Sequence, residues 1–315
     1  MLCGKRGIIM SVVKRKFSVR SSDRSHELSG IVYEPQTEPH GYLHIVHGMT
    51  EHIARYDRFM TDMAEEGYIC FGYDNLGHGH TAKNDDELGF IAPKDGWKRL
   101  VEDVKIFSDS VRNEYGSTLP YYLLGHSMGS FIVRAAAKTV SPNKIIIMGT
   151  AGKNPAADAG LALISLIKLL YGDKHFSPLI DKIAFGGYNK RFGGGTPDDP
   201  KPWLTCDGDI RKLYYADKFC TFNFTVSAMG DLIRLIKEVN SNKFYKKFPK
   251  STEVLLVSGS DDPVGNYGKG VREVSKKLSD NGVKQSCIIY EGARHEILND
   301  FTYSEVKKDI SEFLR

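Results

Sequence analysis

Ser127 lies in YYLLGHSMGSFIVRAAAK, residues 121–138, where a short apolar run meets an Ala-rich segment of helical spacing with no polar loop between them. Passing from strand to helix within two or three residues forces the corner residue into a strained conformation. Gly125 and Gly129 supply the small neighbours such a turn needs. The G-x-S-x-G spacing is that of a nucleophile elbow, which lifts a serine hydroxyl above the end of a sheet and beside a helix N-terminus. A hydroxyl held there can attack a carbonyl if a base takes its proton and an acid orients the base. Without those partners the same residue is a plain turn serine.

In a parallel α/β sheet, functional groups gather in the loops beyond the C-terminal ends of the strands. Two histidines follow Ser127. His175 lies in YGDKHFSPL with no strand before it, whereas His295 lies in IIYEGARHEILND, just past the glycine that ends an apolar strand. His295 is therefore the expected base, its plain alternative being a loop histidine that caps the last helix. For the acid, LLVSGSDDPVG places Asp261 and Asp262 directly after a strand, and Pro263 fixes the backbone beyond them. Spacing does not choose between the two, and both would also suit an Asx turn. Acyl transfer further requires donors where charge develops on the carbonyl oxygen. One is the backbone N–H of Met128, and the other is that of Met49 in YLHIVHGMTEH, where Gly48 lets the chain turn. Ser, Asp, His is the chain order expected for such a fold.

The elements that must position these groups follow from hydropathy. Strands are predicted over 27–33, 42–46, 68–74, 121–124, 143–150, 253–259 and 285–292. Helices are predicted over 53–67, 97–116, the segment after Ser127, GVREVSKKLSDNG and YSEVKKDISEFLR. This alternation implies an α/β fold, a mostly parallel central sheet with helices on both faces. It breaks once, between about Ala151 and Val226, where FGGYNKRFGGGTPDDPKP is rich in Gly and Pro. The expected organisation is a core over 1–150, an inserted helical cap over 151–226 and the rest of the core over 227–315. Within the cap, LALISLIKLLY is apolar around most of a helix. It suits an acyl tunnel or a lipid surface, or else simple packing on the core.

Bulk properties exclude several classes. The 315 residues are 41% hydrophobic and 26% charged with a net charge of +4, as in an ordinary globular enzyme. The basic clusters KRKFSVR and KFYKKFPK read as solvated faces, not as a nucleic-acid site. Five scattered cysteines, Cys3, Cys70, Cys206, Cys220 and Cys287, fit neither a disulfide framework nor a zinc ribbon and point to a cytoplasmic setting. MLCGKRGIIM carries charge where a leader needs an apolar core, and the longest apolar segment is too short to span a bilayer. His47, His52, His78 and His80 lack the spacing of a metal-binding helix, so neither a metal nor a cofactor is expected. The expected partner is a small-molecule ester or lipid-like substrate, with transient membrane-surface contact through the cap.

Taken together, HGMTEHIARY, YDNLGHGHT, LGHSMGS, SGSDDPVG and YEGARHEILND resemble the α/β-hydrolase superfamily, in its monoacylglycerol lipase/lysophospholipase-like branch, the serine aminopeptidase S33 type. The resemblance runs from about Ser18 to Arg315. It implies an α/β-hydrolase fold with a cap, and an enzyme that hydrolyses carboxylic esters, foremost lipid monoesters, through an acyl-serine. It also implies Ser127, Asp262 and His295 as the triad, the second aspartate of SGSDDPVG being the one that aligns, with Met49 and Met128 at the oxyanion. Two positions depart from the pattern, Thr81 where serine is usual and Ser130 where glycine is frequent. The cap matches weakly, so aminopeptidase and thioesterase activities, or a non-catalytic scaffold, stay open as alternatives.

Overall fold

The computed structural model describes residues 12–315, so MLCGKRGIIM, the stretch read as not a leader, and with it Cys3, lies outside the described residues. Eight strands form one sheet: β1 (Val13–Arg20), β2 (Glu27–Glu34), β3 (Gly41–Val46), β4 (Tyr68–Tyr73), β5 (Tyr121–His126), β6 (Lys144–Met148), β7 (Glu253–Gly259) and β8 (Gln285–Tyr290). Their order is β1-β2-β4-β3-β5-β6-β7-β8. The pairs β1/β2 and β2/β4 are antiparallel and the others parallel. Every residue of β3, β4 and β5 is buried. Continuous apolar runs such as YLHIV and YICFGY therefore form strands covered on both faces.

Ten helices accompany the sheet among the described residues: α1 (Asp57–Glu65), α2 (Gly96–Tyr115), α3 (Met128–Val140), α4 (Ala157–Tyr171), α5 (Pro178–Phe185), α6 (Gly208–Ala216), α7 (Val226–Val239), α8 (Asn242–Lys247), α9 (Lys269–Asp280) and α10 (Tyr303–Leu314). Phe107 of α2, Phe131 of α3, Leu235 of α7 and Val274 of α9 pack on one face. Phe59 and Met63 of α1 and Val306 and Ile310 of α10 pack on the other.

KRKFSVR is more than a solvated face, because it forms most of edge strand β1. Its charges alternate with Phe17, whose ring meets that of Phe107 at 5.5 Å, while Arg15 and Arg20 stay on the rim in ion pairs with Glu114 and Glu27. The break in alternation after β6 is filled by α4–α8. Ser177, Asp207 and Thr225 cap α5, α6 and α7 by accepting backbone N–H bonds, the usual work of short polar side chains at helix starts. Helix α7 packs on α4 and also on α2 and α3, and so links the helices after β6 to those beside the sheet.

Register brings the functional loops together. β5 runs between β3 and β6, with Gly125 opposite both Val46 and Ile147. The loop after Val46 and the corner after His126 thus emerge side by side. β7 and β8 end in register, Gly259 opposite Tyr290, which sets the loops carrying Asp262 and His295 next to each other.

Candidate active site

Ser127 occupies the corner between β5 and α3 with φ 50° and ψ −116°, a strained backbone for a residue with a side chain. Its N–H donates to Met148 O at 3.0 Å, and the Ser130 hydroxyl donates to its carbonyl at 2.6 Å. Ser130 thus does a job that glycine at that position has no side chain for. The two glycines are steric requirements. A methyl group on Gly125 would run into the Gly129 carbonyl and Val133, and one on Gly129 into the carbonyls of Val46 and His47.

Of the two aspartates after β7, Asp262 faces the histidine: its Oδ2 lies 2.9 Å from His295 Nδ1, with both side chains buried. Ser258 Oγ donates to the same oxygen at 3.2 Å, and the Val264 N–H to the other at 2.9 Å. Burial pushes this carboxyl up, yet the His295 ring and these donors outweigh it and hold it below the usual carboxylate range. Asp261 instead donates its N–H to Ala293 O. The imidazole of His295 is flanked by the rings of His126 at 4.7 Å and Trp203 at 5.2 Å. Ser127 and His295 line one cavity of about 660 Å³. They are not hydrogen-bonded to each other in this structure, a looseness common in sites without substrate.

Met49 and Met128 also line that cavity, and neither backbone N–H has an acceptor among the described residues. The loop carrying Met49 is fixed by a residue that sequence reasoning missed. Glu51 accepts from the Gly48 N–H and the Tyr56 hydroxyl, pairs with His126 Nδ1 at 2.8 Å, and meets Arg55 at 3.2 Å. Arg55 in turn holds Glu296 through two bonds of 2.7 Å. Burial opposes charge on His126, but the Glu51 carboxylate outweighs it and raises the imidazole pKa. His126 Nε2 then reaches the carbonyl of His295 at 3.3 Å. The sole sequence signal was a glutamate three residues after Gly48, and nothing there told that its partner is the histidine beside Ser127.

The other histidines shape loops. Burial lowers His47 to about 3 and His78 to about 4, so both are neutral. The Asn75 N–H donates to His47 Nε2 at 2.9 Å, leaving Nδ1 to donate to Gly48 O at 2.8 Å. His52 pairs with Asp217 at 2.8 Å, tying the loop after β3 to the segment after α6, and Cys220 completes a trio whose donor atoms lie within 4.8 Å of one another. Burial raises the Cys220 thiol to about 12, so it stays protonated there. Thr81 donates to Asp74 O at 2.6 Å and accepts from the Ser29 N–H at 2.9 Å. A threonine hydroxyl serves there in place of serine.

The family described as serine aminopeptidase, S33 matches residues 37–302. A monoglyceride lipase homolog from Monkeypox virus is 26% identical over 279 residues, 88% of this chain and 89% of the relative. A monoacylglycerol lipase from Mycolicibacterium smegmatis is 28% identical over 162 residues, 48% of this chain and 55% of that protein. Among solved structures, a thermostable carboxyl esterase from Bacillus coagulans in complex with glycerol is 28% identical with a TM-score of 0.89, covering 96% of this chain and 98% of that one.

Proposed function

The chain belongs to the serine aminopeptidase S33 family of α/β-hydrolases, and from that premise we propose that it is a serine hydrolase cleaving carboxylic esters through an acyl-enzyme, with lipid monoesters as substrates. The observation that carries this reading is the strained Ser127 on the wall of a cavity that also receives His295, itself bonded to buried Asp262. His295 Nε2 takes the Ser127 proton as Oγ attacks the ester carbonyl, and Asp262 steadies the imidazolium. The free N–H groups of Met49 and Met128 receive the oxyanion. The same imidazole protonates the leaving alcohol, and water then releases the acyl group by the reverse roles.

Lipid monoesters are supported by the relatives named above and by the cap. Ile164 and Ile167 of α4 turn inward, while Leu169, Leu170 and Tyr171 are 82%, 65% and 66% exposed, and Ile183 of α5 is 65% exposed. Such a patch suits transient contact with a lipid surface. Among the described residues no helix is long and apolar enough to cross a membrane. A cytoplasmic setting, argued from the scattered cysteines, belongs to the same proposal. The aminopeptidase alternative needs cap carboxylates that grip a free amine. Of the two candidates in GTPDDPKP, Asp199 is bound to Arg211 and Tyr215, and Asp198 is exposed and outside the cavity lining.

The test is a fluorophosphonate adduct mapped to Ser127 together with a hydrolysis screen across monoacylglycerols, lysophospholipids, aryl esters and aminoacyl amides. An adduct with ester turnover is expected. Preference for the amides, or no adduct, refutes the reading.

A further inference from the structure

The spacing of the histidines predicts no metal, but the fold adds partners that lie far along the chain. His52, in the loop after β3, meets Asp217, 165 positions later, in the turn after α6. The Cys220 N–H closes that turn by donating to Asp217 O at 3.0 Å. Asp217 and Cys220 thus form an Asp-x-x-Cys pair on a tight turn, the spacing of a zinc-binding Cys-x-x-Cys with a carboxylate in place of one thiolate. The donor atoms of His52, Asp217 and Cys220 all lie within 4.8 Å of one another.

The trio is oriented as a ligand set needs to be. The Phe219 N–H donates to Asp217 Oδ1 at 2.8 Å, which fixes the carboxylate and leaves Oδ2 facing His52 Nε2 at 2.8 Å. Cys220 is 0% exposed, and its free thiol makes no hydrogen bond among the described residues. The His52 and Asp217 side chains keep 14% and 33% of their surface in solvent, a path for an ion and room for a water ligand. Tetrahedral zinc, with bonds of about 2.0–2.3 Å, holds its ligand atoms about 3.3–3.6 Å apart. An ion would therefore part the His52–Asp217 pair by about half an ångström and draw the sulfur in by no more than about 1.2 Å.

Charge favours a cation as well. Arg55 is a positive neighbour of Cys220, and its charge is already matched by Glu296 through two bonds of 2.7 Å. Asp217 supplies one negative charge. A Cys220 thiolate formed on binding, its proton passing to water, supplies a second, so the pair neutralises a divalent ion. One imidazole, one carboxylate and one thiolate make a borderline-soft set that suits zinc, whereas calcium and magnesium take oxygen ligands. We infer that His52, Asp217 and Cys220 form a zinc site with one open position. It would tie the loop that presents Met49 to the segment that runs on to Phe222 and Phe224 of the cavity wall.

The experiment titrates the full chain, kept reduced by a thiol-free reductant, with cobalt(II) as an optical stand-in for zinc and then with zinc itself. One equivalent of cobalt should give visible d–d bands and a near-ultraviolet thiolate-to-cobalt charge-transfer band. Zinc should bleach both and raise the thermal midpoint, as a ligand of the folded state does. Cys220→Ser should abolish the charge-transfer band, while Cys206→Ser, at an exposed cysteine, should leave it in place. Loss of even an outer-shell partner weakens a metal site about 10- to 100-fold, so His52→Gln and Asp217→Asn should each weaken zinc binding at least about tenfold. Metal-free thermal midpoints verify folding, and these last two variants carry the test if Cys220→Ser does not fold. No charge-transfer band in the wild type, a band that persists in Cys220→Ser, or zinc affinity unmoved in both His52→Gln and Asp217→Asn overturns the site. None of these readouts uses ester turnover, so the hydrolase reading stands or falls apart from them.

Discussion

Glu51 shows how much of a site rests on residues that touch no substrate. Its carboxylate fixes the Gly48 N–H, and thereby the turn that presents Met49, and it also pairs with His126, whose other ring nitrogen reaches the His295 carbonyl. Replacing Glu51 with Gln keeps the shape and removes the charge. We expect kcat to fall about 10- to 100-fold, approaching the loss of one oxyanion donor, with KM within a few-fold and the fold intact by circular dichroism. An unchanged kcat would contradict that positioning role. The candidate triad was legible in the sequence because each member follows a strand in a short, distinctive loop. The choice between Asp261 and Asp262 was not legible from spacing, because it depends on which carboxylate the turn at Pro263 aims at His295. Glu51 and His126 were hidden for a related reason, since their pairing exists only once β3 and β5 lie side by side.

At the scale of elements, α4 serves two surfaces. Its buried Ile164 and Ile167 pack on the core, and its last turn leaves Leu169, Leu170 and Tyr171 in solvent. Leu169→Glu combined with Leu170→Glu should lower turnover of monoacylglycerol in vesicles relative to a micellar-free short ester by about tenfold. That corresponds to about 1.4 kcal/mol of lost surface affinity. Equal turnover in both assays would mean that α4 does not meet lipid. The sheet strands were legible because buried parallel strands are apolar runs bounded by turns. Strand β1 was obscured by its charges, as an edge strand has one side in water. Between β6 and β7, helix starts at Ser177, Asp207 and Thr225 were written in capping residues, but the packing of α4–α8 on one another has no sequence period.

For the molecule as a whole, buried histidines set the response to acid. Burial lowers His44 and His47 to about 3 and His78 to about 4. Unfolded imidazole charges near 6.5, so their stabilisation is complete above that pH and drains away as pH falls toward about 3. Burial raises Asp103 and Asp231 to about 6, and these take up protons in the folded chain between about 6 and 4, which opposes the trend. Burial raises Asp74 and Asp181 as well, but the three strongly lowered histidines set the direction, so acid removes net stability. His126, held up by Glu51 against its burial, stabilises below about 6.5 and stops doing so as pH rises through its raised value. Stability should therefore peak near neutrality, and the urea midpoint at pH 5 should lie below that at pH 7. A higher midpoint at pH 5 would contradict this balance.

The central claim is that the Ser127 oxygen becomes acylated. Rapid acid quenching of the full chain with p-nitrophenyl decanoate, followed by intact-mass and peptide analysis, tests it directly. The account predicts one decanoyl group per chain on the peptide containing Ser127, and none after Ser127→Ala. Turnover with no acylated chain, or an acyl group on another residue, would contradict it.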